Sequence, residues 1–167
     1  MKAGPLAARG WSRFICDADL SMPVHELPRF LPPRLSGFDL AIATREGRAA
    51  RRIGEPIRRH LLGRVFNLVV RWLTPAGVDD TQCGFKMFTA PAVASIFPLV
   101  TVEGWAFDIE VLTIAREQRL RLVEVPIEWH YQQQSQMSML RDGVGMLRDL
   151  LRIAARLRRG SYGETRN

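Results

Sequence analysis

An α/β domain is the fold class this sequence predicts, and three observations carry the expectation. Short apolar runs at residues 14–16 and 38–43 have the length and composition of inner strands. Stretches with apolar residues at helical spacing stand after them, at 56–73, 108–118 and 138–159. The first strand runs straight into Asp17-Ala18-Asp19. In open α/β sheets, ligands bind in the crevice beyond the carboxyl ends of the strands.

Composition bounds the rest. At 167 residues, with 47% hydrophobic and 25% charged residues, the chain suits one domain with a sizeable core. The net charge of +7 comes almost wholly from arginine, since the 24 Lys+Arg less Lys2 and Lys86 leave 22 Arg. Such a surface favours anions: nucleic acid, anionic lipid headgroups or substrates with several phosphates. Nucleic acid is disfavoured, because the arginines are spread along the chain without interleaved aromatics for base stacking. Cys16 and Cys83 are the only cysteines, and His25, His60 and His130 stand far apart, so neither a disulfide framework nor a zinc site is expected. Free thiols fit a reducing, cytoplasmic setting. No apolar run approaches the ~20 residues a spanning helix needs.

In order, residues 1–10 read as the tail of a helix closed by Gly10, which suggests strand-helix units preceding it and a chain shortened at its N-terminus. The strand at 14–16 is read as buried. Asp17 and Asp19 beyond it repel each other unless a hard divalent cation sits between them; equally, Asp19 or Ser21 would serve to cap a helix starting near Pro23. That helix stops at Pro32-Pro33. The second strand, 38–43, delivers Arg45 to the same sheet edge as Asp17 and Asp19, where a guanidinium suits a phosphate or simply opens a polar loop. Residues 46–55 read as that loop. In the helix at 56–73, Ile57, Leu61, Val65, Leu68, Val69 and Trp72 form a stripe assigned to the core, with Arg58, Arg59 and Arg64 off it.

Asp79-Asp80 then precede a short strand at 83–88, in which Gly84 permits close approach. Asp80 is placed to orient or deprotonate an attacking group, or to form a turn. A short helix at 90–97 follows. Asp108 and Glu110 fall in the first turn of the next helix, which favours negative charge whether or not they serve a site. Residues 120–129 alternate as a strand, and Pro126 marks it as an edge or a bulge. The last helix carries Leu140, Val144, Leu147, Leu150, Leu151, Ala154 and Leu157 on one face and Arg141, Arg148, Arg152, Arg156 and Arg159 on another. It suits a membrane surface or packing on the sheet. The expected division is a core at 1–134, a basic amphipathic membrane-surface helix at 135–159 and a flexible tail at 160–167.

Four motifs stand together in order: Asp17-Ala18-Asp19-Leu20-Ser21-x-Pro23, Asp80-Thr81-Gln82-Cys83-Gly84-Phe85-Lys86-x-Phe88, Gly104-Trp105-Ala106-Phe107-Asp108-x-Glu110 and Glu124-Val125-Pro126-Ile127. In these the chain resembles the family 2 polyprenyl-phosphate glycosyltransferases, most closely the dolichyl-phosphate glucosyltransferase type. The resemblance implies a GT-A type nucleotide-diphospho-sugar transferase fold, lacking its first strand-helix units, with a C-terminal amphipathic helix. It implies an inverting hexosyltransferase acting peripherally on the cytoplasmic face of a membrane, with a nucleotide sugar (UDP-glucose or GDP-mannose) as donor and polyprenyl phosphate as acceptor. Asp17 and Asp19 would hold Mg2+ or Mn2+, Asp80 with Asp19 would be catalytic, and Arg45, Arg58, Arg59, Gln82, Lys86, Asp108 and Glu110 would bind substrates.

The family's leading strand and its Pro-x-Tyr-Asn-Glu loop, which bind the nucleotide base, do not occur in this sequence. Ser135-Gln136 stands where the family tends to carry Ser-Lys. The expectation is therefore weak donor binding, or an inactive glycosyltransferase fragment. A haloacid-dehalogenase-like phosphatase with Asp17 as nucleophile and Asp19 as acid is the alternative from another class. It leaves residues 82–86 and 104–110 without purpose.

Overall fold

Strand β2 (Leu40–Thr44) is buried along its whole length, because its run of small and branched residues presents apolar groups to both faces of a sheet. It lies inside a four-stranded sheet of order β1-β4-β2-β5, with β1 Ser12–Ile15, β4 Lys86–Thr89 and β5 Leu122–Pro126. The fold is a computed structural model that describes residues 2–19, 21–54, 56–74, 77–131 and 139–163. Strand β4 is antiparallel to both β1 and β2, while β5 is parallel to β2. So β1, β2 and β5 run one way, and their carboxyl ends share a sheet edge with the start of β4. The short strand expected to be buried, β1, is instead a half-buried edge strand; Met87 and Phe88 of β4 take the inner place.

Alternation sorts the side chains. Leu40, Ile42 and Phe88 face a core shared with α3 (Ala90–Ile96), α4 (Phe107–Glu117) and α5 (Met139–Arg158). Ala41, Ala43 and Met87 face a smaller cluster under a 3-10 helix, Val24–Phe30. There Phe14, Phe30 and Phe85 form a triangle with ring centroids 4.8–6.3 Å apart. Helix α3 is started by Thr89, whose hydroxyl accepts from the Ala92 amide. At the N-terminus a helical segment is confined to α1 (Ala3–Ala7).

The run expected as one strand at 120–129 is two. Pro126 has no N–H to extend the ladder, and Ile127 then donates to the Thr44 carbonyl at 3.1 Å and accepts from the Arg51 amide at 3.0 Å. The chain passes at this residue from the main sheet into a two-stranded parallel sheet of β3 (Arg51–Ile53) and β6 (Glu128–His130). Residues 46–55 are thus not wholly a loop. The available signal was charge, since Arg51 lies opposite Glu128.

Helix α2 (Ile57–Leu73) has the expected length but the opposite orientation. Its assigned core stripe faces outward: Ile57, Leu61, Val65, Leu68 and Trp72 are 57–85% exposed. Val70 is buried instead, with Phe66 and Leu73 packed against the same core. The helix carries apolar groups on two sides, and period alone does not tell which side meets the sheet. Helix α5 is divided likewise. Met146, Leu150, Ile153 and Ala154 are buried, while Val144, Leu147 and Leu151 are exposed. Met146, Leu150 and Ile153 belong to the main core, so the helix packs into the domain rather than standing apart from it. The side chains of Leu140 and Arg141 lie outside those described, as do Ser135-Gln136.

Of the expected flexible tail at 160–167, residues 164–167 lie outside those described, and the part before them is anchored at Tyr162. Tyr162 is fully buried, and its hydroxyl donates to Glu110 at 2.8 Å. Glu110 also accepts from the Thr101 and Val102 amides, both at 2.7 Å, and from the Thr101 hydroxyl and Arg156. Removing this one carboxylate leaves several buried donors unpaired, so Glu110→Ala should lower unfolding free energy by about 3–5 kcal/mol in urea titration. A loss below about 1 kcal/mol would show that the network does not anchor α5 and the tail.

Candidate active site

Topology brings the expected residues to one edge. Asp17 and Asp19 follow β1, Arg45 follows β2, and Asp80 through Phe85 lead into β4. The tightest contact there is between Arg45 and Asp80. The guanidinium donates twice to the carboxylate, Nε to Oδ2 at 2.6 Å and Nη2 to Oδ1 at 2.8 Å, and the Arg45 backbone N–H adds a third bond at 3.0 Å. Trp129 stacks on the guanidinium at 5.1 Å. Burial of Asp80 works to raise its pKa, but the charge and hydrogen bonds of Arg45 outweigh it and hold the carboxyl below its ordinary value.

The turn carrying Asp80 is fixed by its neighbours. Glu124 of β5 accepts from the amides of Asp79 and Asp80, at 3.0 and 3.4 Å. Burial pushes the Glu124 pKa up. Glu46, beside Arg45, pairs with Arg52 at 2.7 Å, and Arg52 also donates to the Arg45 carbonyl. Gln82 donates to the Trp105 carbonyl at 3.3 Å, which joins the second motif to the third.

The Asp17 carboxylate rests directly on Gly84. A Cβ at that position would fall on the carboxylate itself, so the close approach needs glycine. Below it, the fully buried Lys86 ammonium donates to the Cys83 carbonyl at 2.5 Å and pairs with Asp108 at 2.9 Å. Lys86 and Asp108 are thereby engaged with each other beneath the edge. Glu110, two residues on and therefore about 200° round the helix, points to α5 instead and is not brought to the site. Desolvation first, then repulsion from Asp19 and Asp108, raises the Asp17 pKa; Lys86 and Arg45 work the other way. Asp19 turns back on its own chain, accepting from the Ser21 amide at 3.0 Å. That bond lies ahead of the 3-10 helix, whose N-cap Pro23 receives no side-chain hydrogen bond, so the expected capping by Asp19 or Ser21 is not what the structure shows. The side chains of Arg58 and Arg59 lie outside those described.

These acids suit a hard cation through the chemistry of their oxygen donors and the repulsion a cation would relieve. Mg2+ commonly takes only one or two carboxylates and fills its sphere with water and substrate phosphate, so two aspartates suffice. Among the described residues no third His, Cys, Asp or Glu forms a metal-holding group with them.

Two concavities are lined by residues of these loops. One, of about 100 Å3, is lined by Cys16, Asp17, Met22, Leu27, Phe85 and Trp129. The other, of about 470 Å3, lies between the 46–47 turn and α2, with Arg64, Asn67, Arg71 and Asp79 in its wall. Sequence reasoning missed Asn67, Glu124 and Trp129. Glu124 stood within a quoted motif, but nothing in the pattern told which backbone it would hold.

No protein-family model matches the chain. It is 39% identical over 89 residues to the dolichyl-phosphate beta-glucosyltransferase of Saccharomyces cerevisiae, across 53% of this chain and 27% of that protein. To the Drosophila melanogaster protein of the same name it is 29% identical over 169 residues, covering 97% of this chain and 52% of the relative. The chain thus spans between about a quarter and about half the length of these curated relatives. Among solved structures, glucosyl-3-phosphoglycerate synthase from Mycobacterium tuberculosis in complex with UDP superposes with a TM-score of 0.61 at 18% identity, over 92% of this chain and 53% of that one. The resemblance read from the four motifs and the GT-A type fold are both borne out. Nothing in these comparisons favours the phosphatase alternative.

Because the folded Asp80 carboxyl titrates below its unfolded value, its ion pair stabilises fully above the unfolded pKa of about 4 and loses that contribution as pH falls through the folded value. Asp80→Asn should therefore cost about 3 kcal/mol at neutral pH, and the gap from wild type should close in acid. Urea midpoints measured from neutral pH down to about pH 3 check this; a constant gap would remove the charge pairing as its cause.

Proposed function

We propose, from kinship with the dolichyl-phosphate glucosyltransferases as premise, that this chain carries the reaction edge of an inverting hexosyltransferase. The donor is UDP-glucose and the acceptor a polyprenyl phosphate. The observation that carries the reading is the convergence of Asp17, Asp19, Arg45 and Asp80 on one sheet edge. A neighbour in fold that binds UDP supports uridine diphosphate as the leaving group.

A phosphate oxygen of the acceptor attacks the anomeric carbon from the face opposite the diphosphate, the bond to the diphosphate breaks, and UDP departs. Asp17 and Asp19 would hold Mg2+ or Mn2+, which when bound stabilises negative charge on the leaving diphosphate. A lipid phosphate is already ionised, so little base catalysis is required. Asp80, kept ionised by Arg45 and correspondingly weak as a base, serves instead to fix the guanidinium plane that meets a phosphate. Arg58 and Arg59, in the first turn of α2, would add cations for the acceptor. Gln82 borders the sugar pocket. Lys86 and Asp108 hold the floor under Asp17.

The acceptor resides in a membrane, and the outward stripe of α2 suits contact with one. Ile57, Leu61, Val65, Leu68 and Trp72 form an exposed apolar row with Arg64 and Arg71 beside it. Helix α5, packed against α2, adds Val144, Leu147 and Leu151. Arginines near an anionic surface contribute ~1 kcal/mol each. No helix among the described residues is long and apolar enough to cross a membrane, so attachment by this segment would be peripheral.

Incubation of the chain with radiolabelled UDP-glucose, polyprenyl phosphate and Mg2+ should yield labelled lipid, slowly, and GDP-mannose should not replace the donor. Asp19→Ala should abolish the product; unchanged turnover in that variant, or in excess chelator, overturns the metal role. In a separate flotation assay, Leu61→Glu with Leu68→Glu should release the chain from anionic vesicles while leaving its circular dichroism unchanged. Retained binding would move the membrane contact elsewhere.

A further inference from the structure

We propose that Asn67 is a positioning residue for this transfer: from the inner flank of α2 it fixes the turn that presents Asp80 to Arg45. The proposal rests on the transferase reading above for its function, but its geometry stands on its own. Asn67 uses both ends of its amide. Its Nδ2 donates to the Asp79 carbonyl, and its Oδ1 accepts from the Thr81 hydroxyl at 2.7 Å. These bonds straddle Asp80 in sequence. From the sheet side, Glu124 holds the amides of Asp79 and Asp80. The turn is thus gripped between a helix and a strand, and Asp80 emerges from it aimed at the Arg45 fork.

Several features set this contact apart from ordinary packing. Thr81 is fully buried, so its hydroxyl has no solvent to turn to if Asn67 is lost. The nearby Arg71–Asp79 pair is more than half exposed on both sides and contributes little. Phe66 and Val70, beside Asn67 on α2, already supply the apolar contact with the core. An amide half-withdrawn from water at such a place is costly unless its bonds are made, and both are made. Helix α2 consequently has two working sides: Leu68 belongs to the outer apolar stripe, and Asn67, next in sequence, holds the Asp80 turn. A shift of α2 as it seats on a surface reaches the Asp80 turn through this side chain and, more weakly, through the exposed Arg71–Asp79 pair.

The test uses the whole 167-residue chain. In wild type the Arg45 Nε–H should give a protected NMR signal, because it is bonded to Asp80. In Asn67→Ala that signal should broaden or vanish, and the amides of Asp80 and Thr81 should exchange at least about tenfold faster, while those of β2 and α4 keep wild-type protection. Thr81→Ala should reproduce the change; Thr81→Ser, which keeps the hydroxyl, should not. In the sugar-transfer assay Asn67→Ala should lower kcat about tenfold with the donor KM within about twofold. An unaltered Arg45 signal and unaltered exchange in both alanine variants overturn the proposal. Faster exchange throughout the protein also overturns it, since that is the mark of a packing role alone. Absence of turnover in wild type would remove the transferase reading, and the Arg45 signal would still decide whether Asn67 positions Asp80.

Discussion

The ion pair between Arg45 and Asp80 is the constraint on which the site depends. Arg45 comes from the end of a central strand and Asp80 from a turn 35 residues later, and three hydrogen bonds join them in a place where Asp80 is almost wholly withdrawn from water. Such a pair is not a simple gain in stability, because burying a carboxylate is expensive and the attraction serves largely to offset that cost. Its return is geometric. A guanidinium held by two parallel bonds and stacked on Trp129 has its plane fixed by the fold.

The surrounding polar groups extend the same principle. Glu124, Asn67 and the Lys86–Asp108 pair each hold backbone or charge in the loops that lead from one strand to another. Asp17 illustrates the opposite case. Burial and two neighbouring acids disfavour its charge, with Lys86 and Arg45 only partly offsetting them. Cys83 lies close by, yet burial pushes its thiol up to about 11, which leaves it a core residue without nucleophilic character near neutral pH.

The peptide pivot at Ile127 explains how so short a chain assembles these parts. By ending the main ladder at Pro126 and opening the β3–β6 pair, it carries Trp129 from the sheet to the face of Arg45. The same pairing orders residues 51–53, and with them the return from Arg45 towards α2.

Much of this was legible from residue order. Apolar runs located β1 and β2, alternation located β4, the strand-end position of Asp17 and Asp19 placed them at the carboxyl edge of the sheet, and four motifs in register gave the family resemblance and with it the fold. Local pattern also gave the lengths of α2, α4 and α5 to within a residue or two. Tertiary structure alone decided which side of each helix is inside: α2 and α5 carry apolar groups on more than one face, and periodicity is blind to the choice between them. It likewise separated Asp108 from Glu110, neighbours in a single motif that a helix turns towards a lysine and towards a buried tyrosine respectively. The chemistry of each residue is local and can be read in the chain; its partner lies tens of residues away and exists only once the sheet has formed.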